Sequence, residues 1–92
     1  MSGPANYVEV TADAQVTTGN GRIASVVLTP AAAVATLILY DNTSAAGDKI
    51  VTLQAAANGG SVVLTPPDSI VFDTGVYADI GGAGALAYVY LS

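Results

Sequence analysis

Asp41 and Asp48 enclose a polar loop that holds Asn42, Thr43, Ser44 and Gly47. Calcium binds through oxygen ligands, so carboxylates, an amide and hydroxyls at this spacing suggest a site for a hard cation. The loop lacks the alternating carboxylates and the closing bidentate Glu of an EF-hand. Asp and Asn also form Asx turns, in which the side-chain oxygen bonds a nearby backbone N–H. An Asx-type turn without a metal is therefore the expectation. Gly81-Gly82-Ala83-Gly84 has the flexibility of a phosphate cradle, but no helix follows it and no Lys or Arg stands beside it. A hairpin turn is expected there instead. Lys49 is the sole lysine, and nothing in its spacing from Ser44 or Ser61 suggests an activated serine. Tyr77 or Tyr88 beside Asp79 would supply an aromatic platform and a carboxylate for a glycan, whereas glycoside hydrolysis requires paired carboxylates in a cleft. The chain has no histidine and no cysteine. Histidine acid–base catalysis, thiol chemistry, disulfides and Cys/His zinc sites are thus excluded. The scattered aspartates read as turn formers, and no enzyme activity and no cofactor are expected.

Charge narrows the partners. Seven acidic residues oppose only Arg22 and Lys49, for a net charge of −5. Two cations cannot follow a phosphate backbone, so nucleic acid is not an expected partner. The longest apolar stretch, Ala31 to Tyr40, is about ten residues and far short of the roughly 20 that cross a membrane as a helix. The start, Met1 to Asn6, has neither a basic region nor an apolar region and does not read as a signal peptide.

The elements that carry these residues read as strands. Runs rich in Val, Ile, Leu, Thr and Tyr alternate with Gly, Asn, Asp, Ser and Pro. Strands are expected at 7–11, 14–18, 22–29, 34–40, 49–54, 61–65, 69–73, 76–80 and 85–91. Gly19-Asn20-Gly21 and Asn58-Gly59-Gly60 supply turns, because Asn and Gly accept positive φ cheaply. Pro30 and Pro66-Pro67 end strands, since proline lacks the N–H of a central ladder. Ala31-Ala32-Ala33 and Ala55-Ala56-Ala57 are read as loops, because a short helix cannot repay its nucleus. Val-Val-Leu-Thr-Pro occurs at 26–30 and again at 62–66, an echo that suggests two equivalent strand ends. The fold class expected is all-β: a small antiparallel β-sandwich or jelly-roll-like barrel of about eight short strands. Residues 1–6 are read as a flexible N-terminal arm, able to order on a neighbouring subunit, and residues 7–92 as one domain.

Only 10% of residues are charged, against about 25% in an ordinary soluble domain. Several strands are also apolar on both faces. In 34–40 one face carries Val34, Thr36, Ile38 and Tyr40, and the other carries Ala35, Leu37 and Leu39. In 85–91 Leu86, Tyr88 and Tyr90 share a face, opposite Ala85, Ala87, Val89 and Leu91. Each sheet of a sandwich has only one inner face, so the second apolar face points to a protein neighbour, the alternatives being cover by the other sheet's loops or a surface of tolerated small residues and Tyr. Tyrosine suits such a contact because it buries a large area while its hydroxyl keeps a partner. The candidate interface residues are Tyr7, Leu37, Leu39, Tyr40, Leu86, Tyr88, Val89 and Tyr90.

A resemblance adds to this reading. Arg22-Ile23-Ala24-Ser25-Val26-Val27-Leu28-Thr29 precedes Ala35-Thr36-Leu37-Ile38-Leu39-Tyr40-Asp41-Asn42-Thr43-Ser44-Ala45-Ala46-Gly47. Pro66-Pro67, Gly75-Val76-Tyr77-Ala78-Asp79-Ile80 and Ala87-Tyr88-Val89-Tyr90 follow. From about Gly21 to the C-terminus, this order resembles a group of small tailed-bacteriophage virion proteins. The matching positions are turns and core residues, so they specify family better than role. The resemblance implies a structural part of a phage particle, made in the host cytoplasm. It points to a decoration or cement protein on the outer capsid surface, one of a homo-oligomer, often a trimer, that clamps neighbouring major capsid proteins. A tail, head–tail connector or fibre component is the alternative within a virion, and a soluble glycan-binding β module is the alternative outside one.

Overall fold

A computed structural model describes residues 6–91. Nine strands follow one another: β1 (Asn6–Val10), β2 (Ala14–Thr18), β3 (Gly21–Thr29), β4 (Ala35–Tyr40), β5 (Lys49–Ala55), β6 (Val62–Leu64), β7 (Ile70–Phe72), β8 (Gly75–Gly81) and β9 (Leu86–Leu91). Both alanine triplets stay out of helices, as expected from the glycines and prolines around them. The expected arm falls outside the described residues except for Asn6, which opens β1 opposite Leu91.

The strands form two antiparallel sheets. The five-stranded sheet runs β1-β9-β3-β6, with β7 also on β3, and the four-stranded sheet runs β2-β8-β4-β5. The pairings nest: β1 with β9, β2 with β8, β3 with β6 and β7, β4 with β5. The bridges β3–β9 and β4–β8 complete the sheets. Counting β6 and β7 as one interrupted strand, this is the eight-strand jelly roll, a long hairpin rolled up so that successive strands alternate between sheets except at its tip, where β4 and β5 share one. Pro66-Pro67 makes the interruption, because neither residue can donate to the β3 ladder. The glycine-rich turn at 81–84 is therefore not a hairpin: β8 and β9 lie in different sheets, and the turn carries the chain across the sandwich. The five-residue echo also finds a different meaning. Val26, Val27 and Leu28 pair antiparallel with Leu64, Val63 and Val62, so the two copies are ladder partners rather than equivalent strand ends.

Alternation settles which residues meet. Ile23, Val26 and Leu28 of β3, Leu37 and Leu39 of β4, Val76 and Ala78 of β8, and Ala87 and Val89 of β9 have no exposed surface. Burying each Val, Leu or Ile side chain of this kind contributes roughly 1.5–3 kcal/mol. Two glycines permit close approaches that a side chain would forbid. A Cβ on Gly21 would stand 2.8 Å from the Phe72 ring, which fills that space. Gly75 has φ +149°, and a Cβ there would stand 2.7 Å from the Thr17 carbonyl oxygen.

Candidate functional site

The outer face of the five-stranded sheet is apolar. Residues directly opposite one another in a ladder share a face, so the registers lay out its rows. Tyr7, Tyr90 and Ser25 form one row, and Glu9, Tyr88, Val27 and Val63 form the next. Leu86 stands half-buried opposite Thr29 on the same face. Tyr7 is 56% exposed, Val63 60% and Val71 55%. The three tyrosines pack together: ring centres lie 5.7 Å apart for Tyr7–Tyr90, 5.8 Å for Tyr7–Tyr88 and 6.4 Å for Tyr88–Tyr90. Tyr7 meets Tyr88 edge-on, the arrangement favoured by the ring quadrupole. The Tyr88 hydroxyl donates to Glu9 Oε2 at 3.0 Å. That bond, and the negative charge behind it, hold the Tyr88 proton and raise its pKa above the ordinary 10.0.

Of the candidate interface residues, Tyr7, Leu86, Tyr88 and Tyr90 lie on this face. Four others do not. Leu37, Leu39 and Val89 have zero exposure and form the core between the sheets, so they are corrected from interface to core residues. Strands apolar on both faces offer two choices of inner face, and packing chose Ala35, Leu37 and Leu39 over Thr36 and Ile38. Tyr40 is only 8% exposed and is likewise corrected. It stands opposite Tyr77 of β8 and, past a register shift in the β4–β5 ladder, opposite Lys49, both on the four-stranded sheet, so it is no part of the tyrosine face. Val27, Val63 and Val71 were missed. For Val27 and Val63 the signal was the echo itself, since two Val-Val-Leu runs that pair must place them on a common face; Val71 lies outside it.

The outer face of the four-stranded sheet is different in kind. Thr36, Thr52 and Gln54 are exposed there, with Asp79 and Ile38 half-buried between them. Tyr77 and Asp79 share this face, but Tyr88 belongs to the other sheet, so a Tyr88–Asp79 glycan platform does not form.

The Asp41 carboxylate of the acidic loop is taken up by backbone N–H groups around the β7–β8 turn. Asp41 accepts N–H bonds from Asp73, Thr74 and Gly75, the shortest 2.8 Å from Thr74. These bonds stabilise the carboxylate and lower its pKa below the ordinary 3.8. Asn42 Oδ1 accepts from Thr43 N at 2.8 Å, and Asn42 Nδ2 donates to the Ala46 carbonyl at 2.8 Å. Asn42 thus braces the loop, but its Oδ1 meets the next residue's N–H and not the one two residues on that defines the expected Asx turn. Gln15 Nε2 shares its two protons among the carbonyls of Thr17, Val76 and Asn42, tying β2, β8 and the loop together. Asp13 accepts from Ile80 N at 2.8 Å at the other end of β8. Among the described residues there is no pocket and no cluster of three or more potential metal ligands. Comparison with protein families, with curated proteins and with solved structures finds no match to this chain.

Proposed function

We propose that this chain is a non-enzymatic structural protein of a tailed-phage particle, a capsid decoration or cement protein. In this reading it lays the outer face of its five-stranded sheet against the shell and stabilises contacts between major capsid proteins. The observation that carries the reading is the contrast between the two outer faces. One presents Tyr7, Tyr88, Tyr90, Val27, Val63 and Val71 beside Glu9 and Arg22, while the other presents Thr36, Thr52, Gln54 and Asp79 beside Tyr77 and Ile38. Exposed apolar area concentrated on one side of a small domain marks a protein contact, and tyrosine is enriched in such contacts. The resemblance to small virion proteins names the assembly. The jelly roll agrees by analogy, since it recurs in viral shells, although it also recurs in lectins.

Many copies on one shell turn weak contacts into strong reinforcement. The test is cosedimentation with empty capsid shells of the phage that carries the chain. The wild type is expected to bind in many copies per shell, and Tyr7→Asp with Val63→Asp to bind far less while melting at a similar temperature. Binding at a few copies only would move the protein to the tail or connector. No binding, or binding untouched by the double substitution, would overturn the reading.

A further inference from the structure

We infer that a second copy of this chain docks on the free edge of β5, antiparallel and across a two-fold axis, to make one continuous sheet from two four-stranded ones. This inference does not rest on the tyrosine face, which lies on the other sheet.

Three observations converge on that edge. First, β5 is the last strand of its sheet: it pairs with β4 from Ala35↔Ala55 to Leu39↔Val51, and among the described residues no strand pairs with its other side. A free edge presents unpaired N–H and C=O groups, and natural proteins usually blunt it with proline, inward charge or a bulge. Here the register shift lies at the Lys49 end, and the regular stretch from Val51 to Ala55 carries none of those devices.

Second, the sandwich is unsealed on the same flank. Leu53 of β5 and Val62 and Leu64 of β6 pack against the core yet remain half-exposed. At the opposite flank Val8 is the one half-exposed core residue of β1 and β2, Val10 and Val16 are buried, and Asp13 binds Ile80 N across the corner.

Third, the charge pattern favours a copy of the same chain. Two molecules of net charge −5 repel each other wherever acids face acids. Ile50 through Pro67, which includes all of β6 and all of β5 after Lys49, has no charged residue. Antiparallel pairing also sends the two Lys49 side chains to opposite ends. Centring the two-fold on Leu53 overlaps the regular stretches fully and buries Leu53 against its own copy. Thr52 then stands opposite Gln54 of the second copy.

The size of the contact sets its strength. Five residues span about 17 Å of strand. The shortest extent of the molecule is 20 Å. Such a flank gives roughly 340 Å² per copy, below the ~800 Å² per partner of a standard stable interface. Association should therefore depend on concentration, and an assembly that crowds copies together would favour it. A two-fold pair also departs from the three-fold arrangement that the resemblance implies.

Light scattering over a dilution series tests this, with two charge variants at exposed positions. The wild type is expected to move from one copy towards two as concentration rises. Thr52→Lys with Gln54→Lys, and Thr52→Glu with Gln54→Glu, should each stay at one copy, because like charges then oppose across the axis. Mixed one to one, they should pair again. Circular dichroism on each variant separates lost pairing from lost folding. The register is read from single cysteines in this cysteine-free chain: Thr52→Cys mixed with Gln54→Cys should form a disulfide-linked heterodimer faster than either alone, since directly opposed residues fall within disulfide reach. A wild type that stays at one copy, a mass that climbs to three, variants that associate as the wild type does, or no gain on mixing would overturn the inference. Shell binding by the wild type, with no pairing in solution at any concentration, would leave the tyrosine face standing and remove the β5 pair alone.

Discussion

Asp41 shows how a single carboxylate organises a corner of this molecule. Its charge is held by N–H groups that lie more than thirty residues away in sequence, in the turn that leads into β8. The folded state lowers its pKa, so the stability it lends is present above its ordinary value of 3.8 and is lost as pH falls through the lower folded value. Asp41→Asn is therefore expected to melt below the wild type at neutral pH, with the gap narrowing in acid. A pair of melting curves against pH checks this, and parallel curves would contradict it. Tyr88 behaves in the opposite sense. Its pKa is raised, so its contribution is full below 10.0 and is lost as pH rises through the folded value. Spectrophotometric titration should show a hydroxyl that ionises above 10.0, is absent in Tyr88→Phe and moves back down in Glu9→Gln.

At the scale of elements, β4 and β8 carry the inner face, and substitutions there report on folding. Leu39 has no exposed surface, so Leu39→Ala should cost about 2–5 kcal/mol in denaturant unfolding. Val63→Asp, on an exposed position, should change stability by only about 0.5 kcal/mol. Gly75→Ala forces a side chain into a left-handed backbone against the Thr17 carbonyl, and should cost about 1–3 kcal/mol. The strands themselves were legible, because β-branched runs and Gly, Pro and Asn punctuation are local signals. Their inner faces were not. Leu37 and Leu39 compete with Ile38 and Tyr40 for the core, and only the register with Ile80 and Ala78 decides. The roles of Asp41 and Gln15 were hidden for a similar reason: their partners are distant in sequence, and a polar side chain in a loop reads locally as a turn former. Of the surface, sequence order revealed the tyrosines on β9 but not the valines of β6 and β7, whose place depends on which strand they join.

At the scale of the whole molecule, the nested pairing is the governing fact. The strand near each end of the chain closes on the other, and the closest pairing in sequence is β4 with β5. Topologies dominated by such distant pairings fold in milliseconds to seconds, because loop closure precedes the contacts that reward it. Stopped-flow refolding should place this domain in that range, and a microsecond phase carrying the full amplitude would argue against the rolled hairpin. The tyrosine face gives the molecule one more property. The chain contains no tryptophan and five tyrosines, and three of those tyrosines share one outer face. Its ultraviolet emission and near-ultraviolet dichroism therefore arise in large part from the surface assigned to assembly. The protein carries its own optical label there, and a change in tyrosine signal on mixing with shells would follow docking in real time without any attached dye.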